Sequence, residues 1–183
     1  MTTRARAWGR AAGVVTIVIV ADRLTKVWVE SAIGRGDHEN VFFGIDLVNV
    51  RNRGIAFGLF AEGRALVLLF TAVALVALLA YFATHAGRAG LWLPTGLLLG
   101  GALGNLIDRV RYDAVTDFVD LPLWPAFNLA DTAITVGVLS LLYVIEVSRD
   151  RRERAGSDGD PRCGRGDPDG GERAGSDGDP RPA

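Results

Sequence analysis

Four apolar runs, residues 11–31, 65–83, 91–106 and 126–147, decide what this 183-residue chain can become. Each is long enough, or nearly so, for a helix that crosses about 30 Å of hydrocarbon at about 1.5 Å per residue. The run 65–83 is free of charged side chains. The first carries Asp22, Arg23, Lys26 and Glu30, the third is short unless it extends toward Asp108, and the fourth carries Asn128 and Asp131. Polar groups therefore collect at one end of three runs, the pattern of side chains that face a shared site instead of lipid. Hydrophobic residues make up 49% of the chain even though the residues after 150 are almost wholly polar, so the rest is greasier than an ordinary globular domain. The expected fold class is a mainly α membrane protein with four transmembrane helices.

Basic residues set the expected orientation. Arg4, Arg6 and Arg10 precede the first run, Arg88 follows the second, and Arg149, Arg151, Arg152 and Arg154 follow the fourth. By the positive-inside rule these places are cytoplasmic, both termini with them, and the long segment 32–64 and the connection 111–125 face outward. Basic residues followed by an apolar run imitate a secretory signal peptide. No small-x-small cleavage site follows, and Asp22 and Lys26 interrupt the apolar core, so the first run is expected to stay as a span. A net charge of -1 gives no sign of a nucleic-acid partner. The single cysteine, Cys163, excludes an intrachain disulfide, and His38 and His85 lie in separate segments, so neither a metal nor another cofactor is expected.

Inside the outward segment, residues 41–50 are rich in β-branched and aromatic side chains with partial alternation, the signature of a strand or hairpin. A small amphipathic sheet there is placed to form one wall of a site at the membrane surface. Arg51-Asn52-Arg53-Gly54 follows, with a glycine for a turn and an asparagine able to donate and accept hydrogen bonds.

Asp117 and Asp131 stand at the edges of apolar stretches, where a carboxylate is costly unless a task requires it. Two carboxyls that converge are the minimal equipment for general acid/base hydrolysis, because like charges held close keep one of them protonated. Asp22 and Lys26 fall at i and i+4 and can pair, and Lys26 is the only lysine among the 20 Lys and Arg residues. Gly100, Gly101 and Gly104 permit close helix approach, and Asn105, Asp108 and Arg109 share the next helical face. Asn128, Asp131 and Thr135 form a polar stripe at the outward end of the fourth run, where free N–H groups favour an anion. Asn128 is equally an N-cap and Asp131 a first-turn dipole partner. These residues read as a membrane-embedded aspartyl peptidase. An ion- or proton-coupled transporter would place charges nearer the midplane on more spans, and a scaffold would leave the converging carboxylates unexplained. Gly34-Arg35-Gly36-Asp37 and Gly164-Arg165-Gly166-Asp167 match the Gly-x-Gly-Asp pattern of presenilin-type proteases, but outside any span.

The ordered set Asp22-x-x-x-Lys26, Asn52-x-Gly54-x-Ala56-Phe57, Gly100-Gly101-x-x-Gly104-Asn105-x-x-Asp108-Arg109, Val115-x-Asp117-Phe118 and Phe127-Asn128-x-Ala130-Asp131 resembles the lipoprotein signal peptidase (signal peptidase II) family. The resemblance implies a catalytic dyad of Asp117 and Asp131, with Asp22, Lys26, Asn52, Gly54, Asn105, Asp108, Arg109, Asn128 and Ala130 around it as support and substrate-binding residues. It implies four transmembrane helices, an extracytoplasmic β-cradle and a short periplasmic helix in the bacterial inner membrane. The implied reaction removes the signal peptide of a diacylglyceryl-modified prolipoprotein just before its lipidated cysteine. Membrane lipid is an expected partner, and the expected state is a monomer. Asp113 stands where that family commonly has a glycine, and the connection from Asp117 to Asp131 looks short.

The chain divides on this reading into a peptidase domain, 1–150, and a tail, 151–183. A polar decamer at 153–162 recurs unchanged at 172–181, too polar to bury a core, so the tail is expected to be disordered and dispensable for cleavage.

Overall fold

A computed structural model describes residues 2–42, 44–53 and 64–157. Among the described residues four helices carry the fold: α1 (Thr3–Ala32), α2 (Arg64–His85), α3 (Trp92–Tyr112) and α4 (Leu129–Ser157). Four strands, β1 (His38–Phe42), β2 (Ile45–Asn52), β3 (Val115–Leu121) and β4 (Trp124–Phe127), form one antiparallel sheet in that order. Two compact units are present, Met1–Glu146 and Val147–Ala183, and the fold and site described below belong to the first.

The greater part of each of the four apolar runs falls on a helix. Among the described residues, two stretches are long and apolar enough to cross a membrane by composition alone, Ala65–His85 and Leu129–Asp150. α1 and α3 fall outside that description; of their polar side chains Asp22, Lys26, Asn105 and Asp108 are buried, while Ile17, Leu24 and Trp28 of α1 are exposed. On α2, Phe70, Val73 and Val76 are each more than half exposed. Such continuous apolar surface is what a hydrocarbon solvent accepts and water does not.

Glycines, not large side chains, hold the middle of the bundle together. A Cβ on Gly96 would meet Val14 at 2.7 Å, one on Gly100 would meet Val18 at 2.8 Å, and one on Gly104 would meet the Asp22 carboxylate at 3.1 Å. The four-residue step on both helices means that α1 and α3 run side by side in the same direction. Gly101 faces the other way, against the Ala130 backbone oxygen and Ile134 of α4, and Gly137 of α4 meets Leu98 of α3 at 2.8 Å. α3 is therefore the central helix. Gly101→Ala should push the first turn of α4 outward, costing about 1–3 kcal/mol in a melt and at least about tenfold in activity. A melt and a cleavage rate both like wild type would contradict that packing.

Apolar clusters close the two ends. Ala7, Ala11, Phe82, Ala86 and Leu91 form one cluster, and Val29, Ile33 and Phe118 form another beneath the sheet.

The sheet is wider than the sequence suggests. Residues 111–125 were expected as a plain connection, yet β3 within them pairs with β2, with Val50 opposite Asp117 and Asn52 opposite Val115. Ala126 and Phe127, expected inside the fourth span, belong to β4, and the helix starts at Leu129. The β3–β4 hairpin turns at Pro122–Leu123, with Leu123 at φ 66°, and this tight turn is why the short connection suffices. Asp113 ends α3 at φ 58°, a left-handed conformation that glycine adopts without strain. α4 runs to Ser157, seven residues past the boundary drawn at 150. The expected short outer helix is not among the described residues, and Gly54 and most of the tail lie outside them.

Candidate active site

Alternation along β3 sorts its side chains. Thr116 turns toward α1, where its hydroxyl donates to Glu30 at 2.6 Å, and Phe118 packs on Val29 and Ile33. Asp117 turns to the opposite face, shared with Asn52 diagonally across the β2–β3 pair. Asn52 Nδ2 donates to one oxygen of Asp117 at 2.9 Å, and Asn128 Nδ2 donates to the other at 2.7 Å.

Asn128 and Asp131 cap α4 reciprocally. Asn128 Oδ1 accepts from the Asp131 N–H at 3.0 Å, and Asp131 Oδ2 accepts from the Asn128 N–H at 3.2 Å, a capping box that uses an aspartate at its fourth position. The capping and the site readings of these two residues are thus one arrangement. The Asn128 oxygen is committed to the helix, so its NH2 is left for Asp117. The other Asp131 oxygen accepts from Asn105 Nδ2 at 2.8 Å.

Behind this layer sits Lys26, fully buried, with its ammonium 2.7 Å from Asp22, 2.7 Å from Asp108 and 3.2 Å from Asn105 Oδ1. Lysine has only donors, so it holds the Asn105 oxygen and turns the Asn105 NH2 toward Asp131. Asp22 uses its second oxygen to accept the Ala130 N–H at 3.0 Å, tying α1 to the first turn of α4. Ala130 therefore enters the site through its backbone.

Asn105, Asp108 and Arg109 were expected to share one helical face. Asp108 and Arg109 separate instead, because consecutive residues on a helix point about 100° apart. Asp108 is buried on Lys26, whereas Arg109 lines the cleft that holds both Asp117 and Asp131. That cleft, about 600 Å³, has Leu121, Trp124 and Phe127 of the hairpin along one wall and Ile134 and Val136 of α4 along another. A second groove of about 410 Å³, lined by Phe70, Leu75, Leu78 and Leu98, shares Asn105, Arg109 and Asp131 with it. Trp124 and Gly96 were not singled out from sequence. A Gly-x-x-x-Gly spacing, 96 to 100, could have marked Gly96, whereas nothing local marks Trp124.

Burial pushes the Asp117 carboxyl up to about 6, and the neighbouring Asp131 charge adds to the rise, while the Asn52 and Asn128 amides and Lys26 pull it back. A folded-state value above the ordinary 3.8 means that the folded chain still holds a proton which the unfolded chain has released. Stability from this group is therefore lost as pH rises from about 4 to about 6, by about 3 kcal/mol in total. Asp117→Asn cannot lose that proton. Its melting temperature relative to wild type should rise between pH 4 and pH 7, whatever fixed hydrogen-bonding cost the amide carries. A difference that stays flat with pH would contradict a buried, raised Asp117.

Among the described residues no group of three or more His, Cys, Asp and Glu side chains is arranged to hold a metal ion.

Comparison with known proteins follows the same lines. The family described as Signal peptidase (SPase) II matches residues 14–147. The lipoprotein signal peptidase of Halothermothrix orenii is 40% identical over 133 residues, covering 72% of this chain and 92% of that protein. The lipoprotein signal peptidase of Oleidesulfovibrio alaskensis is 45% identical over 142 residues, covering 72% and 91%. A bacterial membrane enzyme solved by the in meso method at 2.3 Å superimposes with a TM-score of 0.70 at 30% identity, over 78% of this chain and 90% of that one.

Proposed function

The chain belongs to the signal peptidase II family, and on that premise we propose that Asp117 and Asp131 are the pair with which this membrane protease cuts prolipoproteins. The observation that carries the assignment is the single side chain, Asn128, that caps α4 against Asp131 and donates to Asp117 on the wall of one cleft. Asp22, Lys26, Asn52, Asn105, Asp108 and Ala130 hold this arrangement, and Arg109 faces the substrate. Gly54, outside the described residues, joins them on the family resemblance.

The chemistry needs no further group. Asp131, at the positive end of the α4 dipole, takes a proton from a bound water. The water oxygen attacks the scissile carbonyl while the proton held on Asp117 polarises the carbonyl oxygen. Collapse of the tetrahedral species passes a proton to the leaving amine and restores the singly protonated pair, which titrates as one unit.

All four helices cross the bacterial cytoplasmic membrane on this reading. The inner ends carry Arg4, Arg6, Arg10 and Arg88, both termini are cytoplasmic, and the sheet lies outside with the dyad at the membrane surface. The apolar groove that reaches Asp131 would admit lipid-borne parts of the substrate from the bilayer, with the protein working as a monomer. The peptidase domain is 1–150 and the duplicated tail is not needed for cleavage.

The test is cleavage of a matched pair of precursors, one diacylglyceryl-modified and one unmodified, with product masses read directly. Cleavage of the modified precursor alone, just before its lipidated cysteine, is expected. Equal cleavage of both, or a cut elsewhere, would overturn the substrate assignment.

A further inference from the structure

On the flank of the bundle, a groove between α1 and α3 shares no lining residue with the catalytic cleft. It is small, about 190 Å³, with Ile19 and Ile107 on its inner side and Arg23, Arg111 and Tyr112 at its outer mouth. Arg23 Nη2 donates to the Tyr112 hydroxyl at 3.1 Å, and its guanidinium carbon lies 5.2 Å from the ring centroid. Arg51 approaches the same ring at 5.6 Å. Two arginines thus approach one tyrosine ring, and Arg111 lines the same groove.

Their charges are not balanced locally. Arg51 has Glu30 at 3.8 Å, but among the described residues neither Arg23 nor Arg111 has a carboxylate within ion-pair distance. The two carboxylates on the groove floor are already committed. Asp22 and Asp108 each lie 2.7 Å from Lys26, and Asp22 also accepts the Ala130 N–H. Two carboxylates against Lys26, Arg23 and Arg111 leave one positive charge at the mouth. Like charges drawn together at the edge of hydrocarbon repel unless an anion sits between them.

The apolar surroundings select the anion. Ile107 is exposed on the groove's edge, and Leu24 and Val110 are exposed beside it on the same two helices. A ligand whose charged head meets two guanidinium forks while its tail lies along isoleucine is an amphiphile. We infer that this groove binds the phosphate of an anionic phospholipid of the outer leaflet between Arg23 and Arg111, with an acyl chain along Ile19 and Ile107. The inference rests on α1 and α3 crossing the membrane, as proposed above.

Native mass spectrometry of the full chain in detergent, with phosphatidylglycerol or phosphatidylcholine added at equal concentration, tests this. Wild type should retain phosphatidylglycerol in preference. Arg23→Gln with Arg111→Gln should lower that retention by about tenfold or more, and Arg111→Glu alone should lower it as well. Inorganic phosphate should not compete. Equal retention of both lipids by wild type, unchanged retention in the double variant, or displacement by free phosphate would each overturn the lipid site. Melting in lipid-free detergent should match wild type, which separates loss of lipid from loss of fold. Cleavage by the double variant in that detergent should proceed at the wild-type rate, since neither arginine lines the catalytic cleft. Failure of the lipid result with cleavage intact removes this site alone, whereas a wild type that cleaves nothing removes the reading of function.

Discussion

Lys26→Met is expected to lower stability by about 3–5 kcal/mol and to abolish cleavage in the fraction that still folds. The ammonium is fully buried and reaches three oxygens, those of Asp22, Asp108 and Asn105. Its three donors match three acceptors, so a planar guanidinium would not replace it, which accounts for a lone lysine in a chain that otherwise uses arginine. Methionine fills much of the same volume but leaves two like-charged carboxylates facing each other in a dry interior. It also removes one of the two donors that hold the Asn105 oxygen, leaving Asn128 Nδ2 at 3.2 Å as the other, so the Asn105 amide that donates to Asp131 is held less firmly. The variant that isolates the charge effect is Lys26→Met combined with Asp22→Asn and Asp108→Asn. Removing both carboxylates should return most of the lost stability without restoring full activity, since the Asn105 oxygen then keeps only its 3.2 Å hydrogen bond from Asn128 Nδ2. Thermal melts of the three proteins in one detergent decide the matter. A single variant that melts like wild type would show that the buried charges do not hold the helices together.

How far the sequence foretold this arrangement differs from element to element. The four runs map onto helices because apolar length is a local signal that survives in any tertiary context. The Asp22–Lys26 pair was legible from its i and i+4 spacing, but its third member, Asp108, comes from a helix 82 residues away. β3 and β4 were not legible. They are short, β4 contains Pro125, and β3 gains its place by pairing with β2 some 65 residues earlier. The burial of Asp117 follows from that pairing, so it could not be read from the neighbours of Asp117 in the chain. Asp108 and Arg109 show the limit of grouping by helical face: both lie on the central helix, yet one faces α1 and the other faces the cleft. The family resemblance supplied the list of residues, while the hydrogen bonds show how Asp22, Lys26, Asn52, Asn105, Asp108, Asn128 and Ala130 are held.

Asp117→Asn and Asp131→Asn are each expected to reduce cleavage by about 10³-fold or more, since each removes one half of the acid/base pair while keeping the side-chain shape. The double variant should be scarcely slower than either single one, because two groups that act as a unit are not additive. Asp131→Asn also presents an NH2 where Asn105 Nδ2 or the Asn128 N–H now donates, so its α4 cap weakens as well. Asp117→Asn is the cleaner probe, since Asn52 can turn its amide to meet the new group. The decisive measurement is the initial rate of cleavage of a diacylglyceryl-modified prolipoprotein in detergent, read as a mass shift, for wild type and Asp117→Asn matched by melting temperature at one pH. A folded variant with its rate reduced by about 10³-fold is the predicted result. A folded variant that keeps a tenth or more of the wild-type rate would contradict the dyad.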